Sequence, residues 1–241
     1  MPTQLTLDLG HRPASGREDF LVAPCNAAAV GWIDRWPDWP GNGLAIFGPA
    51  GCGKTHLAEV WRVRSGAIRL APAALTGAEP PQLLGAATAW VIDGLYGEPG
   101  ARPDERRLLH LYNLLRERGG HLLLLAREAP ARWPVTLPDL KSRVGALPAV
   151  EIGPPDDALL AAVMVKLFAD RQLAVGVDVV QYVAARMERS FEAVRRIVAA
   201  LDREALAARK RIALPLAREV LRREFPDTAD LFDSGKTEEQ E

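Results

Sequence analysis

Short, unbroken runs of apolar residues recur along the first part of the chain and alternate with stretches that have helical spacing. Apolar runs of this length are typical of strands that are buried on both faces, as in a parallel sheet. The runs predict strands at 44–47, 67–70, 88–93, 121–126 and 149–152. Between the third and fourth runs, residues 105–118 predict an amphipathic helix whose buried face carries Leu108, Leu111, Tyr112 and Leu115.

The pattern changes at residues 153–157, where Gly-Pro-Pro is followed by two aspartates. Prolines followed by a candidate helix N-cap are typical of a domain boundary. Beyond it only helical periodicity remains, which predicts helices at 158–172, 178–186, 191–207 and 214–223. We therefore expect an α/β core at 18–153, a helical lid at 154–225, a flexible N-terminal peptide at 1–17 and a disordered acidic tail at 226–241.

Composition narrows the function classes without selecting one. The 241-residue chain has 48% hydrophobic and 25% charged residues and a net charge of −1, so no overall basic field favours direct DNA binding. Its two cysteines, Cys25 and Cys52, do not suggest a disulfide framework. No apolar run approaches the roughly 20 residues of a membrane span, and no secretory signal is visible, so we expect a cytoplasmic protein.

The strongest motif is Gly48-Pro49-Ala50-Gly51-Cys52-Gly53-Lys54-Thr55, which follows the first predicted strand and opens a predicted helix. Backbone N–H groups of such a loop, together with the helix N-terminus, bind phosphate oxygens. Lys54 would reach the terminal phosphates, and the Thr55 hydroxyl would hold Mg²⁺. With Pro49, Cys52 and the adjoining His56, this segment predicts a site for ADP or ATP.

The third predicted strand ends in Asp93, where a second nucleotide motif is expected. There the carboxylate would hold Mg²⁺ or its water shell; the alternative is an acidic turn residue. Gly94 follows Asp93, and glycine can neither orient nor deprotonate an attacking water. The fourth strand ends at Leu125-Ala126-Arg127 and lacks a polar group facing the γ-phosphate. We therefore predict weak or absent intrinsic ATP hydrolysis.

Two segments before the phosphate loop have candidate binding roles. The segment containing Phe20, Val22 and Asn26 would form a wall for an adenine ring, or alternatively a plain core contact. At the N-terminus, Gln4 precedes the alternating residues Leu5, Leu7 and Leu9. These leucines predict either an edge strand or a peptide that docks in a groove, in the manner of bacterial sliding-clamp-binding motifs.

Arg143 and a set of basic residues in the lid also stand out. Arg143 lies at the end of a predicted helix, where it is either a solvated cation or an arginine finger that reaches a neighbour's ATP. In the lid, the basic residues from Arg203 to Arg223 are interspersed with acidic ones, which favours a solvated face.

Taken together, these residues resemble the AAA+ module of the bacterial replication initiator DnaA, and more closely its shorter relatives of the Hda family. The resemblance runs from residue 18 to 224 and includes the segment 19–26, the phosphate loop, the strand ending in Asp93, and the box 137–143. It also covers 201–203 and 209–215 near the end of the lid. The chain stops after the lid, where the initiator would continue into a DNA-binding domain, and it starts with the clamp-type peptide.

The resemblance implies a function. The clamp loaded on DNA would capture Gln4, Leu5, Leu7 and Leu9, and Arg143 would act in trans on ATP bound by DnaA. The chain would thus be a negative regulator of replication initiation, with ADP as a structural ligand and without sequence-specific DNA binding of its own. Whether the chain forms a homodimer stays open.

The chain also departs from the family pattern. Besides Gly94 and the missing polar sensor, the lid position that contacts phosphate in the family falls at Glu192, with Arg195 and Arg196 as replacement candidates. An autonomous AAA+ ATPase that loads a helicase or clamp is the rival interpretation, and Gly94 argues against it.

Overall fold

The computed structural model describes residues 20–77, 85, 87–97, 102–208 and 210–226, which divide into two compact units between Gly153 and Pro154. The candidate clamp-binding residues, and the predicted acidic tail from residue 227 onward, lie outside the described residues. Within the described part of the chain, no helix has the length and apolar character that crossing a membrane requires.

The first unit is built on a parallel sheet of five strands in the order β2-β3-β4-β1-β5. All five predicted strands are present, as β1 (Gly43–Phe47), β2 (Ile68–Leu70), β3 (Ala89–Leu95), β4 (His121–Ala126) and β5 (Ala149–Glu151). Strand β3 continues two residues past its predicted end at Asp93, with a register shift against β4 between Asp93 and Leu95. The pattern missed this extension because an Asp-Gly pair is typical of a turn.

Helices cover both faces of the sheet, and β4 shows why. Leu122 and Leu124 pack into one apolar cluster, whereas Leu123 and Leu125 pack into another on the opposite face. The first cluster is covered by α3 (Ala74–Gly77), α4 (Glu105–Glu117) and α5 (Pro138–Gly145), and the second by α1 (Ala27–Asp34) and α2 (Lys54–Ser65). A strand buried on both faces needs no polar alternation, which explains the unbroken apolar runs.

In its described residues, the second unit consists of four helices around an apolar core of their own. They are α6 (Asp157–Asp170), α7 (Val177–Ala184), α8 (Phe191–Ala208) and α9 (Leu214–Glu224). Asp156 caps α6, since its carboxylate accepts the N–H of Leu159 at 2.8 Å. On α8 the residues Val194, Ile197, Val198 and Leu201 are fully buried, as the helical period predicts.

Candidate functional site

The phosphate loop joins β1 to α2 and packs closely against the end of β5. Gly48 has a φ of +148°, and a Cβ at this position would lie 2.1 Å from the carbonyl oxygen of Ile152. Only glycine fits such a contact with backbone. The loop therefore rests directly on the sheet edge and delivers the N-terminus of α2 at the carboxyl ends of the strands, where ligands bind in open α/β sheets.

Lys54 is held inside the loop. Its Nζ donates to the carbonyl oxygens of Gly48 at 2.8 Å and Pro49 at 2.7 Å. The Sγ of Cys52 lies 3.7 Å from the same nitrogen. Burial raises the pKa of the Cys52 thiol, although the nearby Lys54 ammonium acts in the opposite direction. Cys52 thus behaves as a packed thiol within a loop whose positive group is Lys54.

Asp93 and Thr55 meet at the same edge of the sheet. The Thr55 hydroxyl donates to Asp93 Oδ2 at 2.9 Å. A third residue joins them, because the Arg69 guanidinium donates to the same carboxylate oxygen at 2.6 Å. The structure therefore brings together the two oxygen ligands that the sequence assigned to Mg²⁺, and it adds a cation that sequence reasoning did not assign to the site.

Among the described residues, those that follow Asp93 on β3 and end β4 are Gly94 and Ala126, and neither side chain could activate water. Gly94, which lies at the register shift in β3, has a φ of +90°. A side chain there would be strained, although nothing lies within 4 Å of a Cβ built at this position. On the neighbouring strand, β4 ends at the buried residue Ala126.

The segment before α1 lies partly against the start of α2. The ring of Phe20 packs edge-on against His56, with 5.3 Å between the ring centroids, and Val22 packs against the cluster on the α1–α2 face. Asn26 is 3% exposed, and its side chain accepts the Ala23 N–H and donates to the Leu21 carbonyl oxygen. Asn26 thus shapes the segment that carries Phe20 and Val22.

Arg143 lies in the last turn of α5 and is half-buried. Its guanidinium carbon lies 5.7 Å from the centre of the Tyr112 ring on α4, within the range of a cation–π contact. The Tyr112 hydroxyl in turn approaches the carbonyl oxygen of Gly41 at 3.4 Å. The arginine is thereby held near the domain surface by an aromatic ring of the neighbouring helix.

The other end of α5 is fixed by Glu105, the first residue of α4. Its carboxylate accepts the backbone N–H of Thr136 at 3.0 Å and of Leu137 at 2.7 Å, and the Thr136 hydroxyl at 2.9 Å. Burial alone would raise the pKa of the Glu105 carboxyl, but these hydrogen bonds outweigh it and the pKa lies below its usual value. Helix α5 has no side-chain cap of its own, so Glu105 supplies that anchor.

The two lid arginines have different surroundings within their own unit. Arg195 pairs with Glu192 one turn earlier on α8 at 3.2 Å. Arg196 donates to the Glu224 carbonyl oxygen at 2.7 Å and lies 4.0 Å from the centre of the Phe225 ring. Arg196 therefore contributes to packing the end of α9 on α8, whereas the partner that the described residues give Arg195 is an exposed one on its own helix.

Sequence reasoning missed Arg69 and Glu105 as contributors to these arrangements. Arg69 is the charged residue of an otherwise apolar strand, which was an available signal. Glu105 had no comparable signal, because its partners Thr136 and Leu137 are distant in the sequence. Among the described residues, no cluster of three or more His, Cys, Asp or Glu side chains could hold a metal ion.

Comparison with known proteins adds to this geometry. Residues 157–221 match the family described as "Hda, lid domain". A chromosomal replication initiator protein DnaA from Thermomicrobium roseum is 27% identical over 238 residues, covering 88% of this chain. The chain spans 50% of the length of that relative.

Among solved structures, domain III of the Thermotoga maritima replication initiation protein DnaA superposes with a TM-score of 0.70 at 19% identity, covering 86% of this chain and 95% of that one. AMPPCP-bound DnaA from Aquifex aeolicus gives a TM-score of 0.65 at 15% identity, over 87% of this chain and 68% of that one. The Thermotoga maritima RuvB Holliday junction branch migration motor gives 0.59 at 14% identity, over 75% and 61%.

The structural likenesses show a shared AAA+ fold with a helical lid, as the sequence predicted. The family match covers the lid, and the DnaA relative covers most of the chain. The resemblance to the Hda family is thereby confirmed over the lid, where residues 157–221 match the Hda lid domain, and the chain is similar to DnaA along most of its length.

Proposed function

We propose that this chain is a negative regulator of chromosomal replication initiation that stimulates hydrolysis of ATP bound to the initiator DnaA. It would act while bound to the sliding clamp on DNA, and it would hold ADP as a structural ligand. The observation that carries the proposal is the match of residues 157–221 to the Hda lid domain. The geometry of the core unit supports the steps of nucleotide binding and of action in trans by Arg143.

Nucleotide binding is supported by the loop at Gly48–Thr55 and by the relationship to DnaA, one member of which has a structure with AMPPCP bound. Backbone N–H groups at the start of α2 would bind the phosphates, and Lys54 would add its positive charge. The Thr55 hydroxyl and the Asp93 carboxylate, which lie 2.9 Å apart, are oxygen ligands of the kind that Mg²⁺ accepts. Phe20, Val22 and His56 would contact the nucleotide from the segment before α1 and the start of α2.

Weak hydrolysis by the chain itself is supported by the strand ends. Gly94 and Ala126 supply neither a general base nor a polar contact to a γ-phosphate, and the backbone at Gly94 disfavours a larger residue. A site that binds nucleotide but offers Gly94 and Ala126 where an attacking water would be activated suits a ligand that is retained. The catalytic contribution would then be made to another protein's nucleotide.

Arg143 is the group proposed to make that contribution. A guanidinium from one AAA+ protein can offset the charge that develops on the γ-phosphoryl group of a neighbour's ATP, and arginine fingers accelerate such reactions by about 10³–10⁵-fold. Its place in the last turn of α5, braced by Tyr112, suits presentation to a partner. Gln4, Leu5, Leu7 and Leu9 would supply the contact to the clamp.

The test is single-turnover hydrolysis of ATP bound to DnaA, measured with this chain in the presence and absence of DNA-loaded clamp. Wild type should stimulate hydrolysis with the clamp, and Arg143→Ala and Gln4→Ala should each remove most of the stimulation. Lys141→Ala is the matched control, because Lys141 is an exposed cation on the same helix.

Two outcomes would overturn the proposal. One is equal stimulation by wild type and Arg143→Ala, which would return Arg143 to the role of a surface cation. The other is steady ATP turnover by this chain alone, with no effect on ATP bound to DnaA. That result would favour an autonomous ATPase acting as a loader of a helicase or clamp.

A further inference from the structure

The contact between Arg69 and Asp93 is set by the register of two strands. Arg69 on β2 lies opposite Val91 on β3, so Asp93 is the next residue along β3 on the same face. Diagonal neighbours in a sheet have Cβ atoms about 7 Å apart, which a long side chain can span. The guanidinium accordingly reaches Asp93 Oδ2 at 2.6 Å. The pairing therefore follows from the sheet itself and needs no loop to hold it.

Asp93 is the less accessible partner of this pair. Its side chain is 14% exposed, whereas that of Arg69 is 50% exposed. Thr55 at the start of α2 donates to the same oxygen atom, so one carboxylate oxygen receives both a hydroxyl and a guanidinium. Hydroxyl and carboxylate oxygens fit a divalent cation, and the guanidinium is a cation that the chain itself brings to the same oxygen.

We propose that Arg69 is a built-in counter-ion of the nucleotide site, which neutralises Asp93 in place of a divalent cation. The chain would then retain a nucleoside diphosphate with little dependence on Mg²⁺. This inference rests on the nucleotide-binding part of the proposed function. It goes beyond that function by assigning a role in metal dependence to a residue outside the two nucleotide motifs.

The physical reason is the repulsion between like charges. Without a cation, the Asp93 carboxylate would repel the phosphates that the loop binds, and Mg²⁺ would be needed to offset that repulsion. Arg69 supplies a permanent positive charge at this place, because a guanidinium stays protonated at any working pH. Removing it should weaken nucleotide binding in the absence of Mg²⁺ by on the order of tenfold, the size expected for the loss of one unit charge beside a partly exposed site.

The experiment is a titration with fluorescent mant-ADP, once with EDTA and once with Mg²⁺, for wild type and for variants of Arg69. The quantity compared is the ratio of the two dissociation constants. Wild type should give a ratio within about threefold of unity, because Arg69 already neutralises Asp93. For Arg69→Gln and Arg69→Ala the ratio should rise on the order of tenfold, since Asp93 then carries an uncompensated charge. Arg69→Lys, which keeps the charge, should stay close to wild type.

Arg62→Ala is the matched control, because Arg62 is another partly exposed arginine of the core unit and pairs with Glu59 on its own helix. It should leave the ratio unchanged. A ratio in Arg69→Gln equal to that of wild type would overturn this inference and leave the proposed function intact. Failure of wild-type protein to bind mant-ADP under both conditions would instead overturn the nucleotide-binding part of the proposed function, and this inference with it.

Discussion

The phosphate loop and the ends of β3 and β4 lie at the same edge of one sheet, yet they are built for different tasks. The loop is complete in backbone and side chains: Gly48 packs on Ile152, and Lys54 is held by two carbonyl oxygens. The strand ends offer Gly94 and Ala126 where a hydrolytic site needs polar groups. Under the proposed function, this difference would let the chain bind a nucleotide without hydrolysing it.

The phosphate loop depends on backbone geometry, which few substitutions at its glycines would preserve. Hydrolysis would depend on individual side chains at the strand ends, which can be lost without disturbing the sheet. A chain can therefore keep the first and lose the second. Three substitutions follow in order of decreasing expected effect: two test this contrast, and the third tests how the helix that carries Arg143 is held.

Gly48→Ala should cause the largest loss, because the added Cβ would meet the Ile152 carbonyl oxygen at 2.1 Å. Backbone cannot move away as a flexible side chain would, so we expect the free energy of unfolding to fall by about 3 kcal/mol. Urea denaturation followed by tryptophan fluorescence measures the stability of the unit that contains Gly48, since all six tryptophans lie before residue 153. Binding of mant-ADP should be lost as well.

The control for that variant is Gly31→Ala. Gly31 lies within α1, and nothing is found within 4 Å of a Cβ built there. Alanine is the better helix former, so this variant should be unchanged or more stable by up to about 1 kcal/mol. If both variants behaved alike, close packing of the loop on β5 would not explain the need for glycine.

Gly94→Glu should have an intermediate effect and should not produce an active ATPase. A side chain at a φ of +90° is strained, and we expect a loss of about 1–2 kcal/mol of stability. The same strain should keep the new carboxylate from the position of a general base, so that single-turnover hydrolysis of bound ATP stays within tenfold of wild type. Gly94→Ala measures the strain without the charge. Rapid hydrolysis by Gly94→Glu would contradict this expectation, because a single carboxylate at the end of β3 would then be enough to make the site hydrolytic.

Glu105→Gln should have the smallest effect, and it tests how α5 is held. The folded-state pKa of Glu105 is lowered, so its ionised form stabilises the fold above the unfolded pKa of about 4.3. That contribution is lost as the pH falls through the lower folded pKa. At pH 7 the variant should be less stable by about 1 kcal/mol, the usual size for a lost hydrogen bond. The difference from wild type should shrink below about pH 4.

Glu117→Gln is the matched control, because Glu117 is an exposed residue at the other end of the same helix. It should show little effect at either pH. If stimulation of ATP hydrolysis on DnaA fell in Glu105→Gln more than stability explains, the anchoring of α5 would matter for Arg143 itself. A pH-independent loss of stability in Glu105→Gln would contradict the role of the ionised carboxylate.

Much of the fold could be predicted from the sequence because its signals are local. The apolar runs predicted all five strands, and the helical period predicted the buried face of α4 residue by residue. The motif at Gly48–Thr55 predicted a strand, a loop and a helix in the right order. The end of β3 was predicted two residues short, because strand pairing with β4 overrides the turn preference of Asp-Gly.

The sequence by itself determined that the chain has a phosphate loop, a parallel sheet and a helical lid, because each of these is encoded by neighbouring residues. Only the tertiary structure decided which side chains meet at the site. Arg69 reaches Asp93 through strand register, Glu105 anchors α5 across a loop, and Arg143 lies against Tyr112 of another helix. Each of these pairs joins residues distant in sequence, and no local pattern specifies the register or helix packing that brings them together.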